Sequence, residues 1–323
     1  MITATEHAMY ADRRSPLIIE PGSGERNLAG LVQMNTAAIG EKLLEHGALL
    51  FRGFLLKDVA DFDRFVSALT AERLDYVYGS TPRTSIGDRI YTATEYPPAQ
   101  EIPLHNENAY QREWPLKVAL CCLIPASSGG ETPIADMRAV TAAVGERLVD
   151  RFAERRVRYV RHYHPYVDVP WQKVFNTADR ADVARYCEQH EIAYEWLKGD
   201  VLRTIQVCQG TALHPVSRQR TFFNQAHLFH NSSVGVDGAK ALIEIFGTDR
   251  LPRQTFYGDG EEFALEDLTR IRTAFSGASL TFPWQAGDVL LLDNMQFAHG
   301  RRPFKGTRKV IAALMESCTE ASK

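Results

Sequence analysis

The sequence predicts a mainly β fold with flanking helices, α+β overall, compatible with a double-sheet jelly roll. Three observations point there. Apolar runs at 48–51, 117–124, 289–292 and 310–314 have the length of buried strands rather than helices. Stretches with apolar residues at helical spacing alternate with them. The side chains best suited to ligate a metal, His105 and Glu107 on one side and His299 on the other, lie 192 residues apart (299 − 107). A jelly roll makes such sequence-distant strands neighbours. Composition alone does not decide the sheet arrangement.

Residues 1–30 are polar and punctuated by Pro and Gly, a leader expected to pack on the domain surface. Residues 35–46 place Ala38, Ile39, Leu43 and Leu44 at helical spacing, with Asn35 or Thr36 as the opening cap. The short strand 48–51 follows, then an amphipathic helix over 57–69 with Val59, Phe62, Phe65, Val66 and Leu69 on one face. Residues 76–85 are turn-rich and aromatic, a loop near the site. The unbroken apolar run 117–124 suits a central strand covered on both faces. Residues 125–130 end it, and 132–135 form the next short strand. Asp136 is the N-cap of a helix running through Arg151.

Residues 156–163 alternate basic and apolar positions, the pattern of a half-exposed strand. The region 165–215 carries few motifs beyond one helix around 179–190. It lies between the two metal-binding ends in sequence, where a lid would be inserted. Further on, 221–224 reads as a strand, 237–246 as a helix closed by Gly247, and 265–275 as another helix. Strands 289–292 and 310–314 flank His299. The expectation is one elaborated domain over 1–323 with an insertion or lid at about 165–215.

With 323 residues, 45% hydrophobic and 24% charged, the chain has ordinary globular composition and the length for a large core. A net charge of −3 gives no electrostatic case for nucleic acid, so a small-molecule partner is the more economical reading. The five cysteines are odd in number and irregularly spaced, with no Cys-x-x-Cys, which fits reduced thiols in the cytoplasm. The N-terminus, with His7, Asp12, Arg13 and Arg14, does not read as a secretory signal. The longest apolar run, 118–124, is far short of the ~20 residues of a membrane helix. A homo-oligomer is compatible with all of this.

His105 and Glu107 are two apart, so on an extended segment both side chains leave one face. With a distant His299 they make two imidazoles and one carboxylate, the facial set of non-haem Fe(II) oxygenases. Arg308 follows His299 by nine residues (308 − 299) across a turn centred on Gly306. It can grip a carboxylate bidentately, as Lys cannot. Arg302 is the fallback clamp. Asn294 is either a group that anchors a metal-bound imidazole or part of a plain turn. Phe222, Phe223 and Asn224 are candidates for a substrate wall, as are Asn108 and Tyr110, although core packing is the commoner fate of the phenylalanines. The rival pair His162 and His164 has no third ligand at recognisable spacing and is read as lying on an exposed strand. His214, His227 and His230 read as hydrogen-bonded structural histidines. The basic run Arg151, Arg155, Arg156, Arg158 and Arg161 is a solvated face or a surface for an acidic partner.

His105-x-Glu107, Gly129-Gly130-Glu131-Thr132, His299 and Arg308 together resemble the taurine dioxygenase (TauD/TfdA)-like Fe(II)/2-oxoglutarate dioxygenases. The similarity runs from about residue 47 to 315 and is poor over roughly 165–280. Glu in the triad is similar to the clavaminate synthase and amino-acid hydroxylase branches, including those of nonribosomal peptide pathways. The resemblance implies a distorted jelly roll, Fe(II) on His105, Glu107 and His299, and 2-oxoglutarate held at its distal carboxylate by Arg308 and the Thr132 hydroxyl. It also implies activation of O2, decarboxylation of 2-oxoglutarate and hydroxylation of a C–H bond. The expected substrate is an amino acid or derivative, free or on a peptidyl carrier protein, in secondary metabolism. Because Glu107 occupies the position that related halogenases leave to chloride, halogenation is disfavoured. Taurine is disfavoured too, because the taurine-type Arg downstream of the clamp has no match after Arg308. Two other classes use a similar set: a zinc hydrolase or cupin-like isomerase, which has no need of a dicarboxylate clamp, and a non-catalytic regulatory protein on this fold.

Overall fold

The run read as a central strand becomes Glu113–Ile124, the spine of an eight-stranded sheet in a computed structural model that describes residues 4–10, 13–23, 26–81, 83–94, 96–165 and 167–320. Across the sheet the order is Ala4–Tyr10, Arg13–Pro21, Ala48–Phe51, Val289–Asp293, Glu113–Ile124, Lys309–Thr319, Ile90–Thr92 and Ser85–Gly87. The middle strands are apolar without alternation because both faces are covered. On one face Phe51, Ala119, Leu291 and Ile311 pack under helices Leu28–His46 and Val59–Leu69. On the other, Leu50, Leu120, Leu290 and Ala312 pack with Ile134, Phe297 and Trp284. Ile134 and Phe297 belong to a second, four-stranded sheet of order Ser279–Leu280, Ile134–Asp136, Phe297–Arg301 and Ile102–His105. The two sheets are the halves of the jelly roll.

A further four-stranded antiparallel sheet, Ala193–Leu197, Val201–Cys208, Val157–Tyr163 and Arg253–Tyr257, packs with helices Met137–Val144 and Leu265–Gly277 around Phe152, Tyr159, Phe229 and Phe275. Two of its strands come from the motif-poor 165–215 region. Among the described residues no helix is long and apolar enough to cross a membrane.

Four expectations need correction. The N-terminal segment is not a surface leader: Arg13–Pro21 joins the large sheet parallel to Ala48–Phe51, and Leu17, Ile18 and Ile19 are buried. The first helix starts at Leu28 with Asn27 as its cap, whose side chain accepts from Gly30 N. Asn35 and Thr36 instead sit at a kink and bond back to the carbonyls of Leu31 and Val32, the alternative use of residues that otherwise favour caps. Asp136 does cap a helix, but Gly145 at φ 87° divides it into Met137–Val144 and Glu146–Arg155.

The fourth concerns 156–163, which is a central strand rather than a half-exposed one. Arg161 and His162 are only 2% and 3% exposed. Arg161 donates to the carbonyls of Tyr78 and Gly79 and lies against the rings of Tyr78 and Tyr163, while His162 Nδ1 bonds Leu251 O. Elsewhere in the basic run, Arg151, Arg155 and Arg156 pair with Asp267, Asp259 and Glu320.

Candidate metal centre

Antiparallel pairing of Ile102–His105 with Phe297–Arg301 puts His105 directly across from His299. Cross-strand partners project to the same face, so the two imidazoles meet with ring centroids 4.6 Å apart. Gly300 permits the approach, since a Cβ there would lie 2.6 Å from Ile102 O. The strand ends at His105. Glu107 is therefore brought round by a turn, completed by Asn108 at φ 56°, and not by the two-residue strand period. Its Oε2 stands 3.9 Å from His105 Nε2 and 3.5 Å from His299 Nε2. One donor atom from each of the three residues lies within 4.8 Å of the other two.

Asn294 fixes that turn. Its Oδ1 accepts from Glu107 N at 2.7 Å, and its Nδ2 donates to the carbonyls of Glu107 (2.9 Å) and Pro115 (2.8 Å). It thus holds the backbone of Glu107 rather than a histidine ring. The ring of His105 is oriented by Nδ1–H donating to Pro103 O at 2.8 Å, which leaves the Nε2 lone pair facing Glu107. Burial, followed by the adjacent His299, pushes the His105 imidazolium down to about 4, so the ring is neutral at neutral pH.

Sequence reasoning missed Arg83. Its Nη2 donates to Glu107 Oε2 at 2.7 Å, and the two side chains are 4% and 5% exposed. Burial alone would raise the Glu107 carboxyl, but Arg83 and the two imidazoles outweigh it and hold the group below the usual carboxylate range. Nε and Nη1 of Arg83 are buried without a partner. The loop 76–85 was legible as near the site, but its composition gave no signal that a guanidinium there meets a carboxylate 24 residues away.

Beside the triad a recess is lined by Arg83, Thr132, Arg301 and Arg308 together with His105 and His299. Arg308 Nε donates to Gly130 O at 2.8 Å, and no carboxylate pairs with it among the described residues. Burial lowers its pKa to about 10. Thr132 Oγ1 accepts from Trp284 Nε1 at 3.0 Å, leaving its own hydroxyl hydrogen to donate. A half-buried guanidinium without a counter-charge, with a hydroxyl donor beside it and next to two imidazoles and a carboxylate, fits a divalent metal and a dicarboxylate in adjacent positions.

A larger cavity of about 850 Å³ opens on the other side of His105 and Glu107. Tyr110 lines it, its hydroxyl donating to Tyr78 O. Arg302 lines it too, but pairs with Glu101 and takes no part in the recess. Phe223 and Asn224 do not reach the cavity: Phe223 packs on Trp114 in the core, and Asn224 bridges Gly210 O and Ala226 N. Asn108 is buried beside the ligand turn without lining the cavity. His214 bonds Asp293 and His230 bonds Ser232, as structural histidines do, whereas the ring of His227 has no hydrogen bond among the described residues and lines the cavity.

Fold and site together define an oxygenase of the jelly-roll class, with a two-histidine, one-carboxylate centre between a cationic recess and a substrate-sized cavity. The family described as taurine catabolism dioxygenase TauD, TfdA matches residues 18–315, and the chain belongs to this family. It is an Fe(II)- and 2-oxoglutarate-dependent oxygenase. The chain is 42% identical over 278 residues to the dapdiamide synthesis protein DdaC of Enterobacter agglomerans, covering 86% of this chain and 84% of that one. It is 31% identical over 326 residues to a clavaminate synthase-like protein of Arabidopsis thaliana, covering 94% of each. Among solved structures, PvcB of Pseudomonas aeruginosa superposes with a TM-score of 0.56 at 16% identity, covering 97% of this chain and 91% of that one.

Proposed function

We propose that the protein hydroxylates an unactivated C–H bond of an amino acid or amino-acid derivative in secondary metabolism, with Fe(II) on His105, Glu107 and His299. Arg308 and Thr132 would hold the distal carboxylate of 2-oxoglutarate. The observation that carries this reading is the convergence of three metal-binding donors within 4.8 Å, beside a half-buried Arg308 that has no counter-charge among the described residues. The name of the relative DdaC, a dapdiamide synthesis protein, supports the biosynthetic setting.

When bound, iron and 2-oxoglutarate supply with O2 the oxidising power that breaks the C–H bond. The chain's residues position and exclude. His105 is held in one tautomer by Pro103 O, and Glu107 is fixed at its backbone by Asn294 and at its side chain by Arg83. Arg308 and Thr132 select a co-substrate ending in a carboxylate. The cavity, about 850 Å³, falls in the range that encloses a drug-sized ligand, in keeping with a derivative larger than one free amino acid or one delivered by a peptidyl carrier protein. Val167, Asp168 and Val169 contribute to its wall, which supports a single domain in which 165–215 closes over the site. Five free cysteines suit a reducing cytoplasm.

Anaerobic addition of Fe(II) and 2-oxoglutarate should produce the visible metal-to-ligand absorption band, and an amino-acid-type substrate should shift it. Absence of the band in the wild-type protein would remove the reading. A band that no amino acid, peptide or carrier-bound derivative shifts would remove the substrate assignment alone.

A further inference from the structure

Among the described residues, the charged side chains around the large cavity pair off, with one left over. Arg253 pairs with Asp168, Arg302 with Glu101, and Glu107 with Arg83. Arg272, on helix Leu265–Gly277, has no carboxylate partner among the described residues. Its Nη2 donates to His227 O at 2.9 Å and to Ser232 Oγ at 2.7 Å, which fixes the guanidinium against the cavity wall, while its Nε is buried without a partner. Nη1 has no acceptor among the described residues.

Beside it, His227 is 2% exposed, lines the same cavity and makes no ring hydrogen bond among the described residues; Nδ1 is buried without a partner there, and stacking on Phe275 at 4.7 Å sets the ring plane. Burial first, then the neighbouring Arg272 and His105, push the His227 imidazolium down to about 3. The ring is therefore a neutral donor standing within electrostatic reach of both Arg272 and the metal-binding end.

We propose that Arg272 and His227 form an anion subsite that takes a free carboxylate of the substrate and so sets which end of the molecule faces the metal. This rests on the oxygenase reading and deepens it by naming the substrate as an acid. A carboxylate matches what the wall offers, since one oxygen can accept from the guanidinium and the other from the imidazole. A neutral amide, ester or thioester at that end leaves the half-buried guanidinium without a counter-charge. Each substrate is then oriented with its acid group at Arg272 and its oxidised carbon towards His105 and Glu107.

The test uses full-length protein loaded anaerobically with Fe(II) and 2-oxoglutarate, titrated calorimetrically with a panel of L-amino acids and dipeptides, each beside its C-terminal carboxamide. At least one acid should bind about 30-fold more tightly than its amide, the size expected for a hydrogen-bonded charge pair. Arg272→Gln should weaken the acid to the level of the amide and leave the amide unchanged, with Arg272→Lys recovering part of the preference. Equal binding of acid and amide, no binding by any acid of the panel, or an unchanged preference in Arg272→Gln would overturn the subsite. If Arg272→Gln fails to fold, the preference of the wild-type protein decides alone. A wild-type protein that forms the visible band yet shows no acid preference refutes only the subsite; a missing band refutes the oxygenase reading.

Discussion

Replacing Arg83 by Leu removes the buried partner of the Glu107 carboxylate while keeping an apolar stem in place. In the metal-free protein Glu107 is then a buried charge with no cation against it, and breaking a buried pair in this way costs about 3–5 kcal/mol. For 323 residues, roughly 2.1 cal/mol/K per residue gives a melting entropy of about 0.7 kcal/mol/K, so the metal-free variant should melt ~4–7 °C below the metal-free wild type. A divalent metal on the triad supplies the missing positive charge, so the deficit should shrink when metal is bound. Metal should therefore raise the melting temperature of Arg83→Leu by several degrees more than it raises that of the wild type. Scanning calorimetry of chelator-treated and metal-loaded samples measures both quantities. A metal-free shift below about 1 °C, or an equal shift with and without metal, would refute the idea that Arg83 and the metal share the task of neutralising Glu107.

Arg308→Ala should weaken 2-oxoglutarate binding by about 100-fold, and Arg308→Lys by less; an unchanged affinity in Arg308→Ala would dissociate this guanidinium from the co-substrate. Asn294→Ala leaves Glu107 N and the carbonyls of Glu107 and Pro115 without their partner, and should cost about 3 kcal/mol in urea unfolding together with weaker metal binding. A loss below ~1 kcal/mol would mean that the turn holds without it. Single replacements of His105 or His299 by Ala should abolish retention of one equivalent of Fe(II) through dialysis, read by metal analysis; full retention would displace the centre from these residues. Burial pushes the thiols of Cys122, Cys187 and Cys208 up to about 12, and that of Cys121 higher still, leaving Cys318 the most accessible. Ellman's reagent should therefore titrate no more than one thiol quickly in the native protein and five after denaturation. Two fast thiols would contradict this packing.

The sequence by itself determined the strands and the candidate ligand types. Runs such as 117–124 and 289–292 have to be covered on both faces wherever they go, and His105, Glu107 and His299, with Thr132 and Arg308 at their spacing, carry their chemistry in their residue types. It did not determine geometry set by partners far along the chain. Glu107 reaches the imidazoles by a turn that Asn294 holds from 187 residues away, where period-two reasoning assumed a strand. Phe223 and Asn224 stood as candidates for a pocket wall, with core packing the commoner fate of the phenylalanine, and packing against Trp114 and the bond to Gly210 O place both away from the cavity. Arg83, Arg161 and Arg272 are indistinguishable from surface arginines in sequence, because their role is fixed by burial and by which carboxylates do or do not stand opposite. Electrostatic pairing depends on distance in space and on exclusion of water, and both arise only when remote segments pack together. Residue chemistry is local and can be read from the chain; charge balance belongs to the assembled interior and was decided there.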